Sequence, residues 1–151
     1  MISSSVAATT GQSANDDLGT FTIKYSVTAF GDTAYVSSLA DAALIASGVT
    51  TGKTTVFVDR AGTATVGGIS VTLTNSTDTT LNAAGLYQIQ DGETNNFELT
   101  TTVQLPTAGA AGQFRAALGG VSWSNSDTDA TPDNKYTSNL DSFKTVYYGL
   151  N

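Results

Sequence analysis

Between Asn95 and Leu105 apolar and polar side chains alternate, with Phe97, Leu99, Thr101, Val103 and Leu105 on one side and Glu98, Thr100, Thr102 and Gln104 on the other. A period of two is the repeat of a half-buried β-strand, and no helix gathers that set of residues on one face. Gly19 to Phe30 repeats the pattern, with Phe21, Ile23, Tyr25, Val27 and Ala29 expected inward and Thr20, Thr22, Lys24, Ser26 and Thr28 outward. Strands that are apolar on a single face need a second layer to cover them. The chain is therefore committed to packed sheets.

Pro106 ends the first of these runs. After the small-residue loop Thr107 to Gly112, Phe114, Ala116 and Leu118 alternate with Gln113, Arg115 and Ala117, which predicts an antiparallel hairpin between the two runs, entered through the turn Asp91-Gly92. Gly31-Asp32 turns the chain into a short strand at Thr33 to Val36. Ser38 to Ser47 (SLADAALIAS) reads as a short helix, capped by Ser37 or Ser38 and stopped by Gly48. Thr54 to Arg60, Thr63 to Val66, Ile69 to Thr74 and Gly85 to Gln90 read as strands, with Gly67-Gly68 as a bulge or tight turn. Asn75 to Ala84 and Ser124 to Asn139 read as polar loops, and Lys144 to Leu150 as the closing strand. The expected fold is all-β: an antiparallel two-sheet β-sandwich, Ig-like or Greek-key, of about eight or nine strands with one short helix.

Residues 1–17 are rich in Ser, Thr and Ala and carry too little apolar surface to fold alone. They read either as a linker or as an N-terminal arm that adds a strand to a neighbouring copy, leaving residues 18–151 as a single β-sandwich domain. Six Lys and Arg against a net charge of −7 disfavour nucleic acid and anionic membranes as partners. The absence of His and Cys removes thiol chemistry, disulfide frameworks and Ser-His-Asp catalysis. Glu93, Glu98 and many Asp residues are present, but their spacing selects no catalytic pair, so the chain is expected not to be an enzyme. No apolar run approaches the roughly 20 residues of a membrane helix, so membrane insertion is not expected.

Two candidate sites emerge. Asn125, Asp127 and Asp129, followed by Asp133 and Asn134, place oxygen ligands at alternate positions of NSDTDATPDN, a spacing that suits calcium, although the sixth and twelfth positions of an EF-hand loop hold Ala130 and Tyr136 instead of Gly and Glu. Against this stands an ordinary solvated loop. Trp123, Tyr136 and Tyr147, with Tyr87 and Tyr148, would offer rings for glycan stacking, against which stands the ordinary role of such residues as core with a polar tip. Lys24 and Glu98 lie on the outward faces of two predicted strands, so a cross-strand ion pair is expected.

Taken together, GTFTIKYSVTAFGDTAYV, DGETNNFELTTTVQL, GQFRAALGGVSW and LDSFKTVYYGLN resemble the sandwich domain of Ser/Thr-rich surface proteins from ultrasmall candidate-phyla (Patescibacteria-type) bacteria. The resemblance spans about Leu18 to Asn151, rests on structural motifs, and carries over no functional residue. It implies export to the cell surface and membership of a filament, a larger assembly or a longer chain. The expected function is a noncatalytic structural module of an extracellular surface protein or filament, contacting other copies of itself or neighbouring domains, with no cofactor required. A glycan-binding module, calcium-assisted or not, is the alternative.

Overall fold

The two alternating runs become β2 (Leu18–Thr28) and β8 (Thr94–Gln104), paired antiparallel over their whole length from Leu18↔Gln104 to Thr28↔Thr94. In the computed structural model residues 3–9, 18–44, 50–61, 66–105, 111–136 and 143–150 are described. β6 (Gly68–Asn75) flanks β8, and β1 (Ser3–Thr9) flanks β2, completing a four-stranded sheet ordered β1-β2-β8-β6. Its outer face is a ladder of hydroxyls and amides. Ser26 Oγ donates to Asn96 Oδ1 at 2.9 Å, Thr28 and Thr94 share a hydrogen bond of 2.8 Å, and the expected Lys24–Glu98 ion pair forms at 3.0 Å.

The second sheet is organised on β9 (Gly112–Ser124), the longest strand at 13 residues. β5 (Thr54–Ala61) and β3 (Ala34–Ser37) pair with it, β4 (Ala40–Leu44) lies beyond β5, and β7 (Leu86–Ile89) lies beyond β3. β10 (Asn134–Tyr136) and β11 (Tyr148–Leu150) also pair with β9, giving seven strands in all. The chain changes sheet at β2–β3, β5–β6, β6–β7, β7–β8 and β8–β9.

Between the sheets lies one core. Phe21, Ile23, Tyr25, Phe97, Leu99 and Val103 from the first sheet meet Val36, Val56, Val58, Phe114, Ala116 and Leu118 from the second, all buried. Each large apolar side chain buried this way contributes about 1.5–3 kcal/mol. Tyr25 and Phe97, directly opposite in register, stack with centroids 5.4 Å apart, and Tyr87 meets Phe97 edge-on at 5.7 Å. Such pairs add about 0.5–1.5 kcal/mol beyond burial.

Several expectations are corrected. β8 and β9 do not form a hairpin: they belong to opposite sheets, because each carries an apolar face and facing the two across the core buries both at once. The Asp91-Gly92 turn does form, with Gly92 at φ 81° and Glu93 N–H donating to Gln90 O at 2.9 Å, but it joins strands of different sheets. No helix occupies the described part of Ser38–Ser47. Ala40–Leu44 is instead a strand, parallel to β5 from Ala40↔Thr54 to Leu44↔Val58, and is the one parallel pair among the described strands. A helix so short gains little on its own, and the hydroxyls of both expected caps donate to distant backbone carbonyls. Ser37 Oγ donates to Gly52 O at 2.7 Å and accepts Leu39 N–H at 3.1 Å, while Ser38 Oγ donates to Gly85 O at 2.6 Å.

Eleven strands are described where about eight or nine were expected. The surplus comes from β1, from β4, and from β10 inside the presumed loop Ser124–Asn139, drawn into pairing by the long free length of β9. The closing strand is shorter than expected: only Tyr148–Leu150 is extended in a ladder, with Lys144 making an isolated bridge to Ala117. The strand expected at Thr63–Val66 falls mostly outside the described residues.

Gly119 sets the phase of β9. Thr55 lies opposite Gly120 and Val56 opposite Leu118, so Gly119 is an extra residue in a β-bulge. Before the bulge the even-numbered Phe114, Ala116 and Leu118 are buried in the core; after it the odd-numbered Val121 is. A Cβ added at Gly119 would fall 2.5 Å from Cε2 of Phe57. Gly119→Ala is expected to lower stability by about 1–3 kcal/mol, seen as a lower denaturant midpoint; an unchanged midpoint would show that the Phe57 ring has room to move. Tyr25 supplies a contrasting test. Burial pushes its phenol far above the usual range, tempered by the Thr54 hydroxyl and reinforced by Tyr87, yet neither Tyr25 Oη nor Thr54 Oγ1 completes a hydrogen bond. Tyr25→Phe removes an unsatisfied hydroxyl and should leave stability unchanged or raise it by about 1 kcal/mol in the same assay.

Candidate functional site

β2 is paired on both sides. Among the described residues the β1 ladder runs from Thr9↔Leu18 to Ser3↔Lys24, and the β8 ladder runs on the other side to Thr28↔Thr94. A groove of about 510 Å³ lies between the end of β2 and the second sheet. Tyr25 and Val27 of β2 line it from one side, and Leu118, Val121 and Trp123 of β9 from the other, with Phe143 among them. Phe30, 85% exposed, stands at one end, and Asp32 and Asn125 supply polar rim groups.

The bulge places Trp123 here. Strict alternation from Phe114 would send residue 123 away from the core, but the extra residue at Gly119 returns Val121 and Trp123 to the side of Leu118. Trp123 retains 37% of its surface exposed, so its ring forms part of an open wall.

A second cluster occupies the first half of β9. Asp59 and Arg115 are directly opposite in the β5–β9 register. Arg115 donates to Asp59 Oδ2 through Nη2 at 2.6 Å and through Nε at 2.9 Å, and Tyr147 Oη donates to the same oxygen at 2.5 Å. The guanidinium also lies 4.4 Å from the centre of the Tyr147 ring. Burial opposes the charged form of Asp59, but the hydrogen bonds from Tyr147 and Arg115, the Arg115 charge and a backbone hydrogen bond from Arg60 outweigh it and hold the carboxyl below its usual range. The hydrogen bond to Asp59 raises the Tyr147 phenol, burial and the carboxylate charge adding to the effect and Arg115 opposing it. The three groups satisfy one another, which suits a fastener between β5 and the C-terminal segment better than a reactive centre.

The residues expected to bind glycan are not brought together as a set. Trp123 lines the groove, whereas Tyr147 packs on Arg115, eight positions earlier on β9 and about 26 Å along an extended strand. Tyr136 pairs in register with Val121 through β10. The expected calcium ligands are likewise dispersed in role. Asn125 is at the groove rim, the backbone carbonyl of Asp127 accepts Asn82 Nδ2 at 2.8 Å, Asp129 Oδ1 accepts Thr131 N–H at 3.1 Å, and Asp133 is exposed. Among the described residues no three acidic side chains gather as a metal site. Sequence reading missed Phe30, Phe143, Asp59 and Arg115. Arg115 was visible on the face opposite Phe114, and Asp59 lay within another predicted strand, but their meeting depends on a pairing of β5 with β9 that periodicity does not specify.

Compared with known proteins, the chain matches no family model, no curated protein and no solved structure.

Because the Asp59 carboxyl is depressed in the folded state, its contribution to stability is present above the unfolded carboxyl value of about 3.9 and is lost as pH falls through the lower folded value. The melting temperature of the wild-type chain should therefore exceed that of Arg115→Gln most at neutral pH, and the gap should narrow steadily as the pH is taken below about 4. A gap independent of pH would mean that Arg115 acts through packing alone.

Proposed function

We propose that this chain is a noncatalytic structural module of an extracellular surface protein or filament, joined to other copies of itself or to neighbouring domains by strand addition. The observation that carries the reading is β1. All seven of its residues pair antiparallel with β2, which is its only strand partner among the described residues. It is tethered through residues 10–17, and β2, β8 and β6 remain a paired sheet without it. An edge strand so attached can be exchanged for the same strand of another copy with no loss of ladder hydrogen bonds. β1 also carries neither charge nor proline, the usual guards of a sheet edge. The hydroxyl-rich outer face and the low charged fraction of 13% suit a domain whose task is to hold shape. The surface setting draws on the sequence resemblance, and the reading requires no cofactor.

A glycan-binding module receives less support, since Trp123 and Tyr147 serve different places. Retention on immobilised glycans abolished by Trp123→Ala in a folded chain would favour it over the structural reading.

The test is light scattering after size exclusion, with electron micrographs, on the whole chain, on Val6→Pro and on a chain lacking residues 1–17, each with calcium and with chelator. Concentration-dependent dimers or fibres from the whole chain, lost in both altered forms, are expected. Oligomers that persist in both, or a whole chain monomeric at all concentrations, would remove β1 as the joining element.

A further inference from the structure

The outer face of the first sheet carries hydroxyls in register. Thr20 of β2 lies opposite Thr102 of β8, which in turn lies opposite Ser70 of β6, and one step along Thr22, Thr100 and Thr72 line up in the same way. Neither ladder shifts register, so both rows run straight across the three strands. Period two sets these residues on the side away from the buried Phe21, Leu99, Thr101 and Val103. Ser70 and Thr72 are exposed and the other four are half-exposed.

These hydroxyls are free for solvent. Ser26 and Thr28, farther along β2, use theirs on Asn96 and Thr94, whereas among the described residues the hydroxyls of the two rows make no hydrogen bond to the protein. All but Ser70 belong to Thr, whose branched Cβ restricts χ1 and so limits where the oxygen can sit. Each hydroxyl can donate once and accept twice, so the patch offers water a fixed grid of donors and acceptors with methyl groups between them. Neighbouring strands lie about 4.8 Å apart and alternate residues along each about 6.7 Å apart. Those intervals are close to the two repeats of the oxygen lattice on a prism face of hexagonal ice.

The surroundings of the grid suit the same occupant. An isolated charge would impose its own hydration shell, but the two rows hold none, and in the next row Lys24 and Glu98 neutralise each other at 3.0 Å. No aromatic ring occupies an outward position of β2, β6 or β8, so the face lacks the stacking platform by which a protein holds a crystalline polysaccharide.

We propose that this face binds ice, with the hydroxyls of Thr20, Thr22, Ser70, Thr72, Thr100 and Thr102 ordering water at lattice spacing so that the sheet adsorbs to a growing crystal. Water bridges of this kind are nearly as favourable as direct hydrogen bonds. Exchange of β1 would lengthen the sheet in its own plane and leave this face open, so the inference does not depend on how copies are joined.

The test uses the whole chain in dilute buffer. Single ice crystals are watched under a microscope while they are held just below the melting point, and recrystallisation is followed in a frozen film beside an unrelated protein at the same mass concentration. Faceted crystals, a gap between melting and freezing, and suppressed recrystallisation are expected. Thr100→Tyr puts a bulky ring at the centre of the grid in a residue that strands accept, and it should abolish all three effects. Thr72→Lys, at an exposed position on β6, should do the same, so the outcome does not hang on one variant folding. Thr80→Tyr, exposed outside the strands, should retain the activity. Denaturant midpoints identify the variants that are folded. Rounded crystals with recrystallisation no slower than beside the unrelated protein overturn the proposal, as does activity that survives both Thr100→Tyr and Thr72→Lys.

Discussion

The second sheet depends on β9 serving several partners along one strand. Its first half pairs with β5 and β11, and its second half with β3 and β10. Along its 13 residues the side turned to the core changes phase once. Gly119 supplies that change. It adds one residue to the ladder and, lacking a Cβ, lets the Phe57 ring close over the backbone. The core contribution of Val121 and the placement of Trp123 in the groove both follow from it.

The first sheet follows a simpler logic. β2 and β8 match over eleven residues, with apolar side chains in and Thr, Ser, Asn and one ion pair out. Exposed pairs of this kind contribute little individually. Stability comes from the buried face, and the outer face keeps the sheet soluble with few charges. The same economy leaves β1, with neither charge nor proline, without the usual guards of a sheet edge.

Charge is used locally. Asp59, Arg115 and Tyr147 tie β5, β9 and the C-terminal segment together through a single carboxylate oxygen. This contact links residues 88 positions apart in the chain, and it brings the last segment onto β9 beside the site where Leu150 is fully buried. The polar loop 125–133 is held mainly by local bonds, such as Thr131 N–H to Asp129 and Ser126 N–H to Ser124 Oγ.

The sequence by itself determined the faces of the strands. The inward residues of β2 and β8, the Asp91-Gly92 turn and the Lys24–Glu98 pair were legible because period-two patterning and turn chemistry are local properties. It did not determine which strand lies beside which. The same alternation fits a strand hydrogen-bonded to its sequence neighbour and one that faces it across the core, so a hairpin of β8 with β9 matched the pattern and is absent. Nor could residues 40–44 be told from a helix, since Ala and Leu serve both and only the parallel ladder on β5 decides. The groove belongs to this second class. Trp123 was visible as an aromatic residue, but its direction is fixed by a bulge, a consequence of long-range backbone pairing that no local pattern encodes.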